Sequence, residues 1–341
     1  MQLRQLYITS IRPIITNACP LCFITGDDSS QCHNINQELV CRLDSLQCLC
    51  LRAIAGTFKS ASGPQIQKEL HIEPIAVHLQ RLASCHRARN IFTPDFELLD
   101  NRYFPKKQTL KFLKSHPYRV LYDRARGLVD AAEEHLRQSN DELRNVPFDD
   151  MDPHRRSGFI TSHNRSQEEL HAEHVWRTHR DGDGKRKHAP NTVCGRPVAA
   201  QGEWGKANLK RYKGLSRVQS TILLQCRTGF IGLNRFLRPR TLADTSMCDC
   251  GKGEHTVEHL IFDCEQLENA RRNLPLRQWK FSRYNTPLSQ LRSLDCLLTD
   301  HADTVSTWAL NHFGLAQFDW TDQNAISGSS LKHPCPLSEG V

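Results

Sequence analysis

The sequence predicts a mainly α fold: two small helical units joined by a disordered linker, the second unit held by a local cross-link. Three observations predict it. Apolar residues recur at helical spacing over much of 1–145 and again over 206–320. Between them, residues 146–205 are rich in Asp, His, Arg, Gly and Pro and keep no sustained apolar period. Finally, Cys248, Cys250, His259 and Cys264 fall in one short stretch bracketed by apolar helical segments.

In the first unit, Leu3, Leu6, Tyr7 and Ile11 share a helical face, and Pro13 is expected to stop that helix. A polar loop, Gly26–Gln31, follows. A stronger helix is expected over Gln37–Ala55, with Leu39, Leu43, Leu46, Cys50 and Ile54 on one face and Gly56 ending it. Pro64 and Pro74 punctuate two further helices, the last over Ile75–Asn90. Lys106, Lys107, Lys111 and Lys114 alternate with Phe104, Phe112 and Tyr118. That mixture would suit single-stranded nucleic acid, but the favoured reading is a solvated face over core aromatics. Tyr118–Leu143 reads as an amphipathic helix with Leu121, Ala125, Leu128, Ala132 and Leu136 inward.

Residues 146–205 read as linker, with a short helix over Glu168–Arg177 carrying Leu170, His174 and Trp176. The basic run Arg180–Lys187 is either solvated or a phosphate-touching or nuclear-address segment. In 206–320 a helix over Leu209–Cys226 turns Leu215, Val218, Ile222 and Leu223 inward. A turn at Arg227-Thr228-Gly229 leads to Leu233–Leu237. A helix through Leu267, Ala270 and Leu274 stops at Pro275, and Leu288–Leu298 and Val305–Phe313 complete a bundle. Residues 321–341 read as a disordered tail.

The cross-link is the C-x-C-x8-H-x4-C stretch. Cys248, Cys250, His259 and Cys264 form a Cys₃His set of the kind that holds one structural zinc. A helix over Thr256–Phe262 would carry His259, and Gly251 and Gly253 suit the tight turn after the first pair. The one-residue gap between the first two cysteines is narrower than the usual two, so His255 is an alternative fourth donor. The bland reading is four reduced side chains packed in a core. His255-Thr256-Val257-Glu258-His259 also fits H-x-x-E-H, but three adjacent cysteines would close the open position that a zinc protease needs. Cys19, Cys22, Cys32 and His33 could form a second site, against buried thiols as the alternative.

Composition narrows the function. The net charge is +8, which leans towards an anionic partner, most plausibly nucleic acid. The 14 cysteines are scattered, as reduced thiols and metal ligands of the nucleus or cytoplasm would be. The apolar run Ile14–Thr25 is too short and broken for a membrane helix, and Arg12 and Pro13 argue against a secretory signal.

The flanks of the cysteine stretch resemble a known family. Gln225-Cys226-Arg227-Thr228-Gly229-Phe230-Ile231-Gly232-Leu233 continues to Phe236-Leu237 and then to Cys248-Asp249-Cys250-Gly251. This is similar to the C-terminal segment of fungal non-LTR (LINE-type) retrotransposon reverse transcriptases, with His255-Thr256 where that family has Glu-Thr. Trp308-Ala309-Leu310 and Phe313-Gly314-Leu315-Ala316-Gln317-Phe318 resemble its closing segment. Three stretches resemble the helices that follow its polymerase palm. They are Leu6-Tyr7 with Ile11-Arg12-Pro13-Ile14, then Leu51-Arg52-Ala53-Ile54-Ala55-Gly56-Thr57-Phe58-Lys59, then Glu69-Leu70-His71-Ile72-Glu73-Pro74. Asn17-Ala18 stands where that family has Tyr-Gly.

The resemblance implies RNA-directed DNA synthesis for the parent family. The residues here do not support catalysis by this chain. Gly26-Asp27-Asp28 has too little chain before it for a two-metal palm. Asp181-Gly182-Asp183-Gly184 lacks the β-branched strand that opens a ribonuclease H core. The expected role is nucleic-acid binding without catalysis. Lys210, Arg211, Lys213, Arg217, Arg227, Arg235 and Arg238 are the phosphate-contact candidates, each with a solvated charge as its alternative. A zinc-folded protein-interaction module and a decayed element are the other readings.

Overall fold

The computed structural model describes residues 2–17, 19, 37–93, 117–182, 197–274 and 287–318. Among these the chain is helical and contains no strand; its β pairing is an isolated antiparallel bridge between Met247 and Glu254. Two compact units form, one from residues 1–186 with 199–210 and the other from 187–198 with 211–341.

The first unit opens with α1 (Gln2–Leu6), which passes through a π turn (Tyr7–Ile11) into α2 (Arg12–Ile15). Pro13 does not stop the helix as expected. It lies in the first turn of α2, where no N–H is needed. α3 (Gln37–Ala55) has the predicted bounds and ends at Gly56 with φ 64°. Its buried face differs from the predicted one: Leu39 and Leu46 are 46% and 42% exposed, while Val40, Gln47, Cys48, Leu51 and Ala55 are buried. The cause is α4 (Gly63–Leu70), which packs on α3 and is buried on almost every side, polar residues included. Gln67 donates to Gln47 Oε1 at 3.0 Å, and Gln47 donates to Glu73 O at 3.0 Å. Polar groups paired this way can occupy a core, so apolar periodicity alone misplaces the face.

α5 (Ile75–Asn90), α6 (Pro117–Arg137) and α7 (Pro153–Gly182) pack on one another. Their shared core contains Cys85, Ala88, Val129, Ala132, Leu136, Phe148, Met151 and Ile160. α7 corrects the linker expectation, because much of 146–205 is folded. The helix buries Ile160, Asn164, Ala172 and Trp176, four positions at helical spacing that include one amide and one alanine. Asn164 donates to Arg81 O at 3.0 Å, so a polar residue does the work of an apolar one. Of the residues read as a short helix here, Trp176 is buried and Leu170 is 59% exposed.

Residues 199–205 also belong to this unit. Lys68 Nζ donates to Gln201 O at 2.5 Å and lies 5.0 Å from the Trp176 ring centre. Trp176 Nε1 donates to Gly202 O at 3.1 Å, and the Trp204 ring lies tilted against His71 with ring centres 5.3 Å apart.

In the second unit, α8 (Arg217–Thr228) starts with a reciprocal cap. Ser216 Oγ accepts from Gln219 N–H, and the Gln219 side chain accepts from Ser216 N–H. It ends at Gly229 with φ 72°. The short α9 (Asn234–Leu237) and α10 (Glu268–Arg271) flank the cysteine stretch. α11 (Pro287–Asp300) and α12 (Ala302–His312) pack against α8. The predicted continuous helix through Leu267 to Leu274 is instead a 3₁₀ turn (Glu265–Leu267) followed by α10. Trp308 anchors α12. Its Nε1 donates to Ala270 O at 3.1 Å, and its ring meets Phe313 edge-on at 5.8 Å.

Candidate metal centre

The cysteine stretch folds as a knuckle, a helical turn and a return. Cys248 N–H donates to Gly253 O at 2.8 Å, and His255 N–H donates to Ser246 O at 2.9 Å on either side of the Met247–Glu254 bridge. Gly251 N–H closes onto Cys248 O at 2.9 Å with φ 71°, a conformation that favours glycine. Gly253 is needed for a different reason: a Cβ there would lie 2.6 Å from His259 Nδ1. Thr256 Oγ1 accepts from His259 N–H at 3.2 Å. The π turn His259–Asp263 then returns the chain, and Cys264 N–H reaches back to His259 O at 2.7 Å.

These turns bring Cys248, Cys250, His259 and Cys264 together, with their donor atoms all within 4.8 Å of one another. Cys248 Sγ and Cys264 Sγ are 3.8 Å apart, and Cys250 Sγ is 3.1 Å from His259 Nε2. Cys248, His259 and Cys264 are buried, and Cys250 is partly open. Four donors so placed can hold a metal ion. Burial pushes the Cys248 thiol up to about 12. Cys250 is drawn below the ordinary thiol value, chiefly by the Lys252 N–H that points at its sulfur. Burial also holds His259 below the ordinary imidazole value. Left to itself the pocket therefore favours a protonated Cys248 and a neutral His259. A divalent cation at its centre reverses the first preference and uses the second.

His255 is not a donor here. Its Nδ1 accepts from the Asn234 N–H at 3.2 Å, tying α9 to the knuckle. The pair His255 and His259 therefore does not form the two-histidine face of an H-x-x-E-H protease, and Glu258 is 3% exposed. Gly253 as a steric requirement and Thr256 as the cap of His259 are the site residues that spacing alone does not reveal; a Thr three residues before the His is a weak capping signal.

Among the described residues, a second donor group comprises Glu73, His78 and Glu168. Two guanidiniums already answer it. Arg12 meets Glu73 at 2.5 Å, and Arg81 Nε lies 2.6 Å from Glu168 Oε2 as an ion contact. His78 Nδ1 sits between the two carboxylates at 3.0 and 3.1 Å. This is an ion network joining α2, α5 and α7. In it, burial alone would raise the Glu73 carboxyl, but the His78 hydrogen bond and the Arg12 charge outweigh burial and hold it well below its ordinary value.

The phosphate candidates separate into classes. Arg227 is corrected: it is 1% exposed and donates to Asp295 at 3.2 Å and Thr299 at 3.1 Å, so it is a core residue. Arg235 pairs with Glu254 at 2.7 Å while remaining half exposed. Arg211 is partly buried; Lys210, Lys213, Arg217 and Arg238 are exposed. From Trp204 through Ala243 the chain carries Lys206, Lys210, Arg211, Lys213, Arg217, Arg227, Arg235, Arg238 and Arg240 and no carboxylate. From Asp244 through Glu268 the balance inverts, with Asp244, Asp249, Glu254, Glu258, Asp263, Glu265 and Glu268 against Lys252.

Several expectations fall outside the described residues: Gly26-Asp27-Asp28, the lysine and aromatic cluster at 104–114, Cys22, Cys32 and His33, and the tail 321–341. Cys19, from that second cysteine set, is buried and donates to Leu79 O at 3.4 Å. Arg180 is paired with Asp181 and Glu203. No helix among the described residues is long and apolar enough to cross a membrane. Compared with protein-family models, curated proteins and solved structures, the chain matches none.

Proposed function

We propose that this chain belongs to the region of a non-LTR reverse transcriptase that follows the polymerase, and that it binds nucleic acid without catalysing a reaction of its own. The observation that carries the reading is the carboxylate-free cationic stretch from Trp204 to Ala243, which runs directly into a four-donor cluster. Exposed cations such as Lys213, Arg217 and Arg238 suit a polyanion, and a metal cross-link suits a small unit with a limited core. Residues of the quoted motifs meet in the fold. Gln225 in the first quoted motif and Gln317 in the last are hydrogen-bonded at 2.7 Å. Arg227 and Gly229 of the first motif have structural roles, as a buried guanidinium paired with the partly exposed Asp295 and as a helix stop.

Zinc is the metal we assign. Three thiolates and one imidazole form a soft set that selects it. At zinc–sulfur bonds of about 2.3 Å a tetrahedral edge is about 3.8 Å, which matches Cys248 and Cys264. Four protein donors close the shell, so the ion's role is structural. The reduced thiols fit the nucleus or the cytoplasm.

The test is binding of the full chain to single-stranded RNA and duplex DNA across a salt series. Contacts to three phosphates give a log–log slope steeper than about −2. Replacing Lys213, Arg217 and Arg238 with Ala should flatten it. Binding that ignores salt, or ignores the triple variant, would overturn the reading. One observation favours a second reading, a protein-interaction module. The rim of the acidic knuckle exposes Leu242 (69%) and Met247 (38%), and an interface built on them would show little salt dependence.

A further inference from the structure

The three thiols of the cluster differ in access, a difference that holding a metal does not require. Cys248 is 6% exposed and Cys264 is 1% exposed, whereas Cys250 is partly open to solvent. The neighbours of Cys250 do not screen it. Asp249 and Gly251 on either side are exposed, and the Lys252 ammonium is paired with Glu265. Its sulfur lies beside His259 Nε2 and within 4.8 Å of both other sulfurs.

We infer that Cys250 is a modification site: the thiolate through which a peroxide-class oxidant enters the cluster and discharges its metal. This rests on the metal reading above. A metal-bound cysteine is already a thiolate, the nucleophilic form, so reactivity among the three is decided by access. The Cys250 sulfur attacks one oxygen of hydrogen peroxide. The O–O bond breaks, hydroxide leaves and is protonated by a buffer acid, and Cys250 becomes a sulfenic acid. Cys264 Sγ then attacks Cys250 Sγ. The S–O bond breaks, a second hydroxide leaves to be protonated by solvent, and a disulfide forms. Two thiolates have lost two electrons in total, and peroxide has become two waters. Cys264 is the resolving partner because it reaches Cys250 from the far end of the π turn, whereas a bridge to Cys248 would close over Asp249 alone. Two of four donors are then lost. Cys248 and His259 alone do not hold a structural ion, and the knuckle opens.

The experiment uses the full chain. Its zinc content is read by native mass spectrometry before any oxidant is added. The holo protein is then pulsed with a limiting thiol-alkylating reagent, and separately with hydrogen peroxide while zinc release is followed. The expected result is that Cys250 is the first cluster cysteine labelled. Peroxide should release zinc together with a Cys250–Cys264 linked peptide. Cys250→His, which keeps a four-donor set, should release zinc about tenfold more slowly. Zinc-loaded protein in which Cys248 or Cys264 is labelled first overturns the inference and leaves the metal reading standing. So does a zinc-loaded Cys250→His variant that releases at the parent rate. If that variant holds no zinc, the labelling order in the parent chain decides. A parent chain isolated without zinc overturns both.

Discussion

The two units hold themselves together in opposite ways. In the first, cohesion is spread over partners far apart in sequence: Arg12 with Glu73, Arg81 and His78 with Glu168, Lys68 with Gln201, and Asn164 with Arg81 O. Many of these groups are buried and polar, and each meets a partner by a hydrogen bond or an ion contact. The second also pairs buried polar groups, Arg227 with Asp295 among them, around an apolar core with Ile222, Leu223, Leu260, Ile261, Leu297, Leu298 and Trp308 all under 5% exposed. What it adds is a candidate metal site concentrated between Cys248 and Cys264. A distributed polar network fails gradually as members are removed. A concentrated metal site fails at once, so the units should be separable by reagent.

The largest effect expected is from metal removal. Structural zinc contributes about 10–16 kcal/mol of apparent binding energy in small domains, which is folding energy when no site exists in the unfolded chain. A strong chelator at neutral pH, or Cys264→Ser, should abolish slow hydrogen exchange in α8 and α12 while α5 and α7 keep theirs. Equal loss in both units would erase the contrast.

Next is Glu168→Ala, which strands the Arg81 guanidinium and His78 in a largely buried setting. A cost of about 3 kcal/mol follows for breaking such a pair. It should lower protection in α5 and α7 and leave the zinc content unchanged. A change under about 0.5 kcal/mol would make the network ornamental.

Acid sharpens the same comparison. The Glu73 carboxyl is depressed in the folded state, so its contribution is fully present above the ordinary carboxylate value of 4.5 and is lost as pH falls below that towards the depressed value. Protection in α5 should therefore decline below about pH 4.5 in a chain already stripped of metal, where zinc loss cannot be the cause. Glu73→Gln should remove that pH dependence.

The smallest effect expected is from Trp176→Phe. It deletes the hydrogen bond to Gly202 O and keeps most of the ring. About 1 kcal/mol should be lost, with local exchange around residues 199–205 responding first.

What could be read beforehand follows from the same contrast. The four donors, the bounds of α3 and α5, and the helical character of the chain were visible because metal ligands, glycine stops, prolines and apolar periods leave direct marks. α7 was not visible as a packed helix, because its buried stripe of Ile160, Asn164, Ala172 and Trp176 carries too little apolarity to register. The buried side of α3 was misplaced for a related reason, since α4 presents it with glutamines. Arg227 looked like a phosphate contact because sequence shows charge and not the Asp295 and Thr299 that receive it. His255 stayed open as an alternative donor because spacing cannot show that its ring nitrogen is already committed to Asn234.

The π turn between His259 and Cys264 gives their spacing a mechanical meaning. The bond from Cys264 N–H to His259 O spans five residues where an α turn would span four. Each residue of a helix advances the chain by about 100°, so one residue fewer would leave all four ligands in the sequence and swing the last sulfur away from the other three. The interval is thus a ruler cut to one length, and lengthening or shortening it by a single amino acid disarms the site as surely as deleting a ligand.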